Sequence, residues 1–100
     1  MKSIMHKKTD HTCYLCKKLY YDNSFKSGLH EHHVFDGPNR KLSEHFGLKV
    51  YLCINHHTSG KEAVHNNIKN MRIIQEDGQR AFEKKYPDLN FRELFGRNYL

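Results

Sequence analysis

Three cysteines and one histidine have the spacing of metal ligands. Cys13 and Cys16 are separated by two residues, Cys53 and His56 are separated by two residues, and residues 17–52 lie between the pairs. Each short turn can present two ligands to the same point, so two such turns can close tetrahedrally around one zinc ion. We therefore expect these four residues to hold a structural Zn²⁺. The alternative is that the cysteines are small buried apolar residues and that the histidine lies at the surface.

The composition also favours a metal ion over disulfide bonds. The chain of 100 residues has three Cys and nine His, and only 37% of its residues are hydrophobic. An odd number of cysteines argues against a closed disulfide framework, and cysteine with abundant histidine is the usual ligand set of zinc. One small core of this length supplies only about 3–5 kcal/mol, so a structural metal ion would add the stability that the core lacks.

A second group of histidines remains after the zinc ion has its ligands. His32 and His33 lie at the end of a predicted strand, and His57 directly follows the zinc ligand His56. Because that strand lies inside the loop that the zinc ion closes, the fold can bring His32, His33 and His57 together. His65 would lie two turns further along the same helix face if that helix were unbroken.

Imidazoles in this arrangement suit the hydrolysis of a phosphodiester bond. The reaction requires a general base that deprotonates water and a metal ion that stabilises charge on the phosphate and on the departing 3′ oxygen. Histidine titrates near neutral pH and is also a common metal ligand, so it can serve in both roles.

Two short strands are predicted to position the first histidines and Cys53. Residues 28–35 predict a strand that ends at the turn formed by residues 36–39. Residues 43–47 predict one helical turn closed by a glycine. Residues 48–52 alternate apolar and mixed side chains, which predicts a second strand that ends directly before Cys53.

Helices are predicted over the second half of the chain. Asn55 is a good N-cap for a helix that carries the two histidines after it, although the Ser-Gly pair at residues 59–60 can interrupt that helix. Apolar residues recur at helical spacing from residue 66 to 86 and predict a long helix. Residues 90–96 predict a short final helix.

The charge of the chain favours a polyanionic partner. Seventeen Lys and Arg against eleven Asp and Glu give a formal net charge of +6. This excess suits nucleic acid, although a basic surface without such a partner is the simpler alternative. We expect residues 1–9 to form a mobile basic arm before a single domain at residues 10–100. No stretch has the apolar length of a signal peptide or a membrane span, which predicts a cytoplasmic protein with reduced thiols.

The residues around both histidine groups resemble those of the His-Asn-His endonucleases, also called the ββα-metal nucleases. In that family a strand ending in Asp-His or His-His packs on a helix that returns a metal-binding His, and a zinc quartet often fixes strand and helix. Here His32-His33 and Cys53-Ile54-Asn55-His56-His57 occupy those places, with His56 where the family usually has Cys. The resemblance covers residues 13–66.

A narrower resemblance is to the phage recombination-enhancement nucleases, which depend on the host recombinase. With the tail included, it covers most of the chain from Cys13. The similar segments are His32-His33-Val34-Phe35, Asn39-Arg40-Lys41-Leu42-Ser43-Glu44, Gly47-Leu48-Lys49-Val50-Tyr51-Leu52-Cys53, Val64-His65-Asn66 and Phe95-Gly96-Arg97-Asn98-Tyr99-Leu100.

The resemblance implies an α+β fold: a small zinc-stapled ββα-metal finger, treble-clef-like, at about residues 13–66, followed by C-terminal helices at about residues 67–100. It implies a metal-dependent endonuclease that nicks or cuts DNA with little sequence preference in phage recombination. The partners it implies are DNA and a recombinase filament, and no membrane.

By position in the family motif, each histidine of the second group has an implied role. His33 matches the general base, and His32 matches its metal-ligating neighbour. His57 matches the metal ligand on the helix, and His65 is the candidate for a further ligand. The catalytic ion is a divalent metal, with Mg²⁺, Mn²⁺ and Zn²⁺ all compatible with histidine ligands.

The sequence departs from the family at its middle Asn, which braces the general base through the backbone. Leu48 stands nearest to that place, and Asn39 is the available substitute. Arg40 and Lys41 follow the turn and can hold phosphates, although a solvated basic loop would look the same. His30 lies on the same strand face as His32. It is either a surface residue or a residue that assists the site.

Two other functions fit the same residues. A non-catalytic zinc module can bind DNA or a protein on the same scaffold, because a fold does not fix a function. A general nucleic-acid-binding protein would explain the charge but not the second group of histidines.

Overall fold

Two antiparallel strands form the sheet that carries the first histidines. A computed structural model describes residues 1–100. Strand β1 (His30–His33) pairs with strand β2 (Lys49–Leu52), and the register places His33 opposite Lys49. Both predicted strands are present, and both are shorter than the sequence pattern indicates.

The early end of β1 has a local cause. The backbone N–H of Phe35 donates to the Ser43 hydroxyl over 2.9 Å, so this residue bonds to a helix side chain instead of to β2. Ser43 is completely buried, and its hydroxyl therefore holds the chain that leaves the strand. The predicted strand over residues 28–35 is correct in place and too long at both ends.

Five α-helices and two short 3₁₀ turns complete the fold. The predicted helices over residues 66–86 and 90–96 are confirmed, and each starts at an asparagine whose side chain accepts a backbone N–H. No helix combines the length and the apolar character that a bilayer crossing requires. The helices are α1 (Tyr14–Tyr20), α2 (Arg40–Phe46), α3 (Ile54–His57), α4 (Ile68–Lys85) and α5 (Phe91–Phe95), and the 3₁₀ turns are Lys8–Asp10 and Gly37–Asn39.

Three α-helices end at residues in the left-handed backbone conformation, and α5 does so at Gly96 with a φ of 75°. Helix α1 ends at Tyr21, with a φ of 56°, and α2 ends at the predicted Gly47, with a φ of 72°. A residue other than glycine costs about 1–2 kcal/mol in this conformation. A Cβ on Gly47 would also lie 2.5 Å from the carbonyl oxygen of Lys2, so glycine makes room there for the N-terminal segment.

The N-terminal segment packs on the sheet, which corrects the expectation of a mobile arm at residues 1–9. The backbone N–H of Ile4 donates to the Gly47 carbonyl over 2.9 Å. The backbone N–H of Tyr51 donates to the His6 ring over 3.1 Å. The lysines of the segment suggested an arm, but its apolar residues pack against the core and anchor it.

One core joins the sheet to the C-terminal helices. Phe35, which follows β1, lies in ring contact with Phe91 and Phe95 of α5. A Cβ on Gly78 would lie 3.1 Å from both Phe35 and Val34, so this glycine lets α4 approach the end of the strand closely. The Cα radius of gyration is 13.0 Å, and a compact domain of this length has a value of about 13 Å.

Candidate metal centres

The four residues predicted as zinc ligands form one cluster, called here the Cys/His cluster. The ligand atoms of Cys13, Cys16, Cys53 and His56 all lie within 4.8 Å of one another. The Nδ1 atom of His56 lies 3.3 Å from the Cys16 sulfur, 3.4 Å from the Cys53 sulfur and 3.6 Å from the Cys13 sulfur. This donor set can hold a metal ion, and three thiolates with one imidazole are a typical structural zinc set.

Helix starts place these ligands. Cys13 is the N-cap of α1, and its sulfur accepts the backbone N–H of Cys16, which lies in the first turn of that helix. Cys53 is the N-cap of α3, and His56 lies within that helix. Two helix N-termini therefore meet at the cluster, and their positive ends would stabilise the thiolates that bind a metal ion.

Cys13 and Cys16 hold their protons tightly in the absence of a metal ion. Burial, together with the charges of the neighbouring thiols, raises the pKa of Cys16 to about 12. Burial also raises the pKa of Cys13. A bound metal ion must therefore displace protons from these groups, which makes the affinity of the cluster dependent on pH.

His32, His57 and His65 form a second group, called here the three-histidine cluster. Their ligand atoms also lie within 4.8 Å of one another. The ring centroids are 5.3 Å apart for His32 and His57, 5.4 Å for His32 and His65, and 5.1 Å for His57 and His65. The three residues predicted as ligands of a catalytic metal ion are thus brought together.

His65 reaches this cluster by a different path from the predicted one. Helix α3 ends at His57, so the predicted unbroken helix face does not exist. The chain instead turns back, and the backbone N–H of Val64 donates to the His56 carbonyl over 2.8 Å. This hydrogen bond places the residue that follows Val64 beside the end of α3.

His32, the buried member of the three-histidine cluster, has the properties of an imidazole that binds a cation. Burial lowers the pKa of His32 to about 3, and the neighbouring His57 and His65 contribute to the shift. Its Nε2 atom is buried and has no hydrogen-bond partner. Such a group costs about 1–3 kcal/mol when it stays unpaired. A neutral imidazole with an unpaired nitrogen fits the chemistry of a metal ligand.

His30 also contacts the cluster, although its position in the sequence fits a surface residue equally well. Its Nδ1 atom lies 2.9 Å from the Nδ1 atom of His57. Residues two apart on a strand point to the same face, which was the only signal for this contact. The bond engages one ring nitrogen of His57.

His33 lies in a different group of side chains, which corrects the expectation that it joins His32 and His57. Its Nε2 atom lies 2.9 Å from a Glu44 carboxylate oxygen. Lys49 lies 3.1 Å from Glu44 and 3.5 Å from Glu31, so an internal ammonium group already balances these carboxylates. The reason is geometric, because neighbouring residues on a strand point to opposite faces of the sheet.

Asn39 also differs from its expected role. Its side-chain amide donates to the Phe95 carbonyl over 2.9 Å and therefore ties the turn after β1 to α5. The expected brace to the backbone around His33 is not formed. Ser43, through its hydrogen bond with Phe35, is the side chain that holds the chain at the end of this strand.

Arg40 and Lys41 lie where a phosphate can reach them. Both are exposed at the start of α2, and neither forms an ion pair. They line an open groove of about 670 Å³ together with Glu44 and His45. The acidic residue reduces the positive charge of this groove.

Comparison with known proteins adds no family to these observations. No protein-family model, no curated protein and no solved structure matches the chain. Support for a function therefore comes from the two clusters, the charge of the chain and the sequence motifs.

Proposed function

We propose that this protein is a metal-dependent endonuclease that hydrolyses phosphodiester bonds in DNA. The observation that carries the proposal is the convergence of His32, His57 and His65 around a buried ring nitrogen that has no partner. A divalent metal ion bound there would stabilise the negative charge that develops on the phosphate and on the departing 3′ oxygen. The resemblance to the His-Asn-His endonucleases supports the same activity.

The ligand types favour a first-row transition ion at this centre. All three donors are imidazoles, which suit ions such as Zn²⁺, whereas Mg²⁺ prefers carboxylate and carbonyl oxygens. No carboxylate belongs to the three-histidine cluster. Of the ions that the resemblance allows, we therefore propose Zn²⁺ ahead of Mn²⁺ and Mg²⁺.

The Cys/His cluster has a structural role in this proposal. A Zn²⁺ ion held there would join the start of α1 to the start of α3, and it would fix His57 relative to β1. With that ion bound, the arrangement would be the zinc-stapled, treble-clef-like ββα-metal finger that the resemblance implies, with α4 and α5 as additions.

His33 is the proposed general base. Its Nε2 atom bonds to Glu44, which leaves Nδ1 without a hydrogen-bond partner. A neutral imidazole that donates through one nitrogen can accept a proton from water at the other. Glu44 would hold the ring in that tautomer and stabilise the imidazolium ion that forms.

The substrate and setting follow from charge and resemblance. A net charge of +6 favours a polyanion such as DNA. Arg40 and Lys41 would hold backbone phosphates, which gives affinity without sequence preference. The narrower resemblance makes a recombinase filament in the cytoplasm of a phage-infected cell the proposed partner.

One observation favours a non-catalytic alternative. His33 lies outside the three-histidine cluster, so the candidate base and the candidate metal centre occupy opposite faces of β1. Under this alternative hypothesis both clusters are structural metal sites, and the protein binds DNA or another protein without cleaving it.

A plasmid-nicking assay separates the two functions. Supercoiled DNA is incubated with the protein and Zn²⁺, Mn²⁺ or Mg²⁺, with and without a recombinase filament. We expect the wild type to nick the plasmid and His65→Ala to lose this activity. Because His65 is exposed, its replacement should not disturb the fold. Glu93→Gln, an exposed change in α5 outside both clusters and outside the groove of Arg40 and Lys41, is the control and should nick normally.

A second variant tests the base directly. We expect His33→Ala to lower the nicking rate by about 10²–10⁴-fold, the usual contribution of a general base. Metal analysis should show that both variants keep the metal ion of the Cys/His cluster. DNA binding without nicking under every condition would refute the endonuclease and support the non-catalytic function.

A further inference from the structure

The exposed aromatic side chains of this protein lie within six residues of the chain. Tyr20, Tyr21 and Phe25 are 60%, 87% and 72% exposed. Every other phenylalanine and tyrosine is buried or half-buried. The fold accounts for two of these rings in part, because the Tyr20 hydroxyl donates to the Glu62 carboxylate and the Phe25 ring lies 4.9 Å from the His11 ring. The Tyr21 ring has no such contact, and the proposed catalysis does not use it.

The backbone at Tyr21 makes this residue type unusual. It ends α1 with a φ of 56°, in the left-handed conformation, whereas α2 and α5 end at glycines in the same conformation. Glycine is the favoured residue at this position of a helix end. The backbone of Tyr21 is strained, and its exposed ring gains no packing in return. This combination indicates a function for the exposed side chain.

Unpaired positive charge lies beside this ring. Tyr21 lines a surface groove of about 670 Å³ together with Lys7, Lys17, Lys18 and Asp10. Lys18 forms an ion pair with an aspartate of α4, whereas Lys7 and Lys17 have no acidic partner. The groove therefore offers two free ammonium groups next to an exposed aromatic face.

We propose that Tyr21, with Lys7 and Lys17, forms a binding surface for single-stranded DNA. Exposed rings among lysines are the combination on which unpaired bases stack while the phosphates meet positive charge. A duplex keeps its base faces stacked inside, so it cannot use the rings. This surface lies outside the three-histidine cluster, and the proposal requires neither cleavage nor the catalytic metal ion.

The surface is also joined to the metal centres. The ring of Tyr20 lies 6.3 Å from the ring of His56, the histidine of the Cys/His cluster. The next residue in α3 is His57, which belongs to the three-histidine cluster. A single strand held by the aromatic surface would therefore lie beside the helix that carries both groups of ligands.

The test measures binding of a labelled oligothymidylate by fluorescence anisotropy, without added divalent ions. The variant is Tyr21→Gly, because glycine suits the left-handed position and should keep or raise the melting temperature. We expect affinity for the single strand to fall about tenfold, and affinity for a duplex to change little. Leu89→Gly, another exposed apolar residue outside the helices, is the matched control and should bind as the wild type.

Two further variants test the composition of the surface. Phe25→Ala removes an exposed ring that does not line the groove, so it should weaken single-strand binding less than Tyr21→Gly does. Lys17→Gln should reduce the slope of log affinity against log salt by about 0.7, the value for one phosphate contact in a single strand. The chain has no Trp, so quenching of tyrosine fluorescence by the bound strand gives an independent signal of stacking.

Specific outcomes would overturn the proposal. Unchanged single-strand affinity in a folded Tyr21→Gly variant would show that the ring does not bind bases. Equal losses for single strand and duplex would show a general electrostatic surface. Tighter binding of oligouridylate, with a larger effect of Tyr21→Gly, would assign the surface to RNA instead of DNA. Nicking of plasmid is measured separately from single-strand binding. Failure of the single-strand proposal would therefore leave the endonuclease proposal standing, and failure of the endonuclease proposal would leave the single-strand proposal standing.

Discussion

The Nδ1 atoms of His30 and His57 lie 2.9 Å apart. One of the two rings must donate an N–H to the other in a bond this short. Metal-ligating histidines are almost always held by a hydrogen bond on the nitrogen that does not touch the metal ion. The contact therefore leaves Nε2 of His57 for a metal ion and fixes the direction in which it points.

Removing the His30 ring should weaken the three-histidine cluster. We expect His30→Leu to lower its metal affinity by about 10–100-fold, because the partner that orients His57 is lost. In His30→Asn the side-chain oxygen can accept the same N–H, and most of the affinity should return. Competition with a metal indicator measures both affinities. Equal affinities in wild type and His30→Leu would contradict an orienting role.

The Cys/His cluster should decide whether the chain folds. Structural zinc in small fingers contributes about 10–16 kcal/mol of apparent binding free energy, whereas a core of this size supplies about 3–5 kcal/mol. We expect Cys53→Ser to lose the tightly bound metal ion and the cooperative unfolding transition, as measured by metal analysis and circular dichroism. Ser59→Ala, an exposed change after α3, is the control and should keep both. A folded, metal-free Cys53→Ser protein would rule out the structural role.

Acid should destabilise the protein through His32 when the three-histidine cluster holds no metal ion. Its pKa is lowered to about 3 by burial, whereas an unfolded histidine titrates at about 6.5. Between these values the unfolded chain binds a proton that the folded chain does not, so the free energy of unfolding falls as the pH falls. One such group contributes at most about 1.4 kcal/mol per pH unit.

Denaturant unfolding across the mildly acidic range measures this slope. The protein should carry a metal ion only in the Cys/His cluster, so that proton binding at His32 is not masked. We expect the slope to be smaller in His32→Gln, whose side chain does not titrate. The same slope in both proteins would show that other groups cause the acid sensitivity.

A pair of glycine substitutions tests how the N-terminal segment packs. Gly47→Ala adds a Cβ that meets the Lys2 carbonyl oxygen at 2.5 Å, whereas a Cβ on Gly28 meets nothing within 4 Å. Both glycines have a positive φ, so both variants carry a backbone penalty of about 1–2 kcal/mol. We expect Gly47→Ala to have the lower free energy of unfolding in urea. Equal decreases in the free energy of unfolding would mean that residues 1–9 move aside at no cost, as a mobile arm would.

Local patterns predicted much of this molecule. Ligands with two residues between them are placed by a single turn, so Cys13 and Cys16 could be paired from their spacing alone. The asparagine caps before α4 and α5 likewise act within one helical turn. His65 shows the limit of such reasoning, because the predicted helix face that placed it is broken and the chain reaches the same cluster by folding back.

Contacts between distant elements could not be predicted in this way. The pairing of His33 with Glu44 depends on how α2 packs against β1, which no periodicity encodes. The alternation of side chains along β1 already placed His32 and His33 on opposite faces. The motif of the resembling family implies one shared site for both residues, and the structure separates them.

A metal ion in the Cys/His cluster would also affect the order in which the chain folds. It joins Cys13 to His56, so the sheet and α2 lie inside the loop that it closes. Closing a loop of this length without a tether costs conformational entropy before any contact within it forms. A metal ion that binds both pairs of ligands early would hold the two ends of this loop together, so refolding should accelerate with the concentration of free metal. When metal is scarce, the apolar strand β2 stays exposed for longer, and aggregation then competes with folding for the newly made chain.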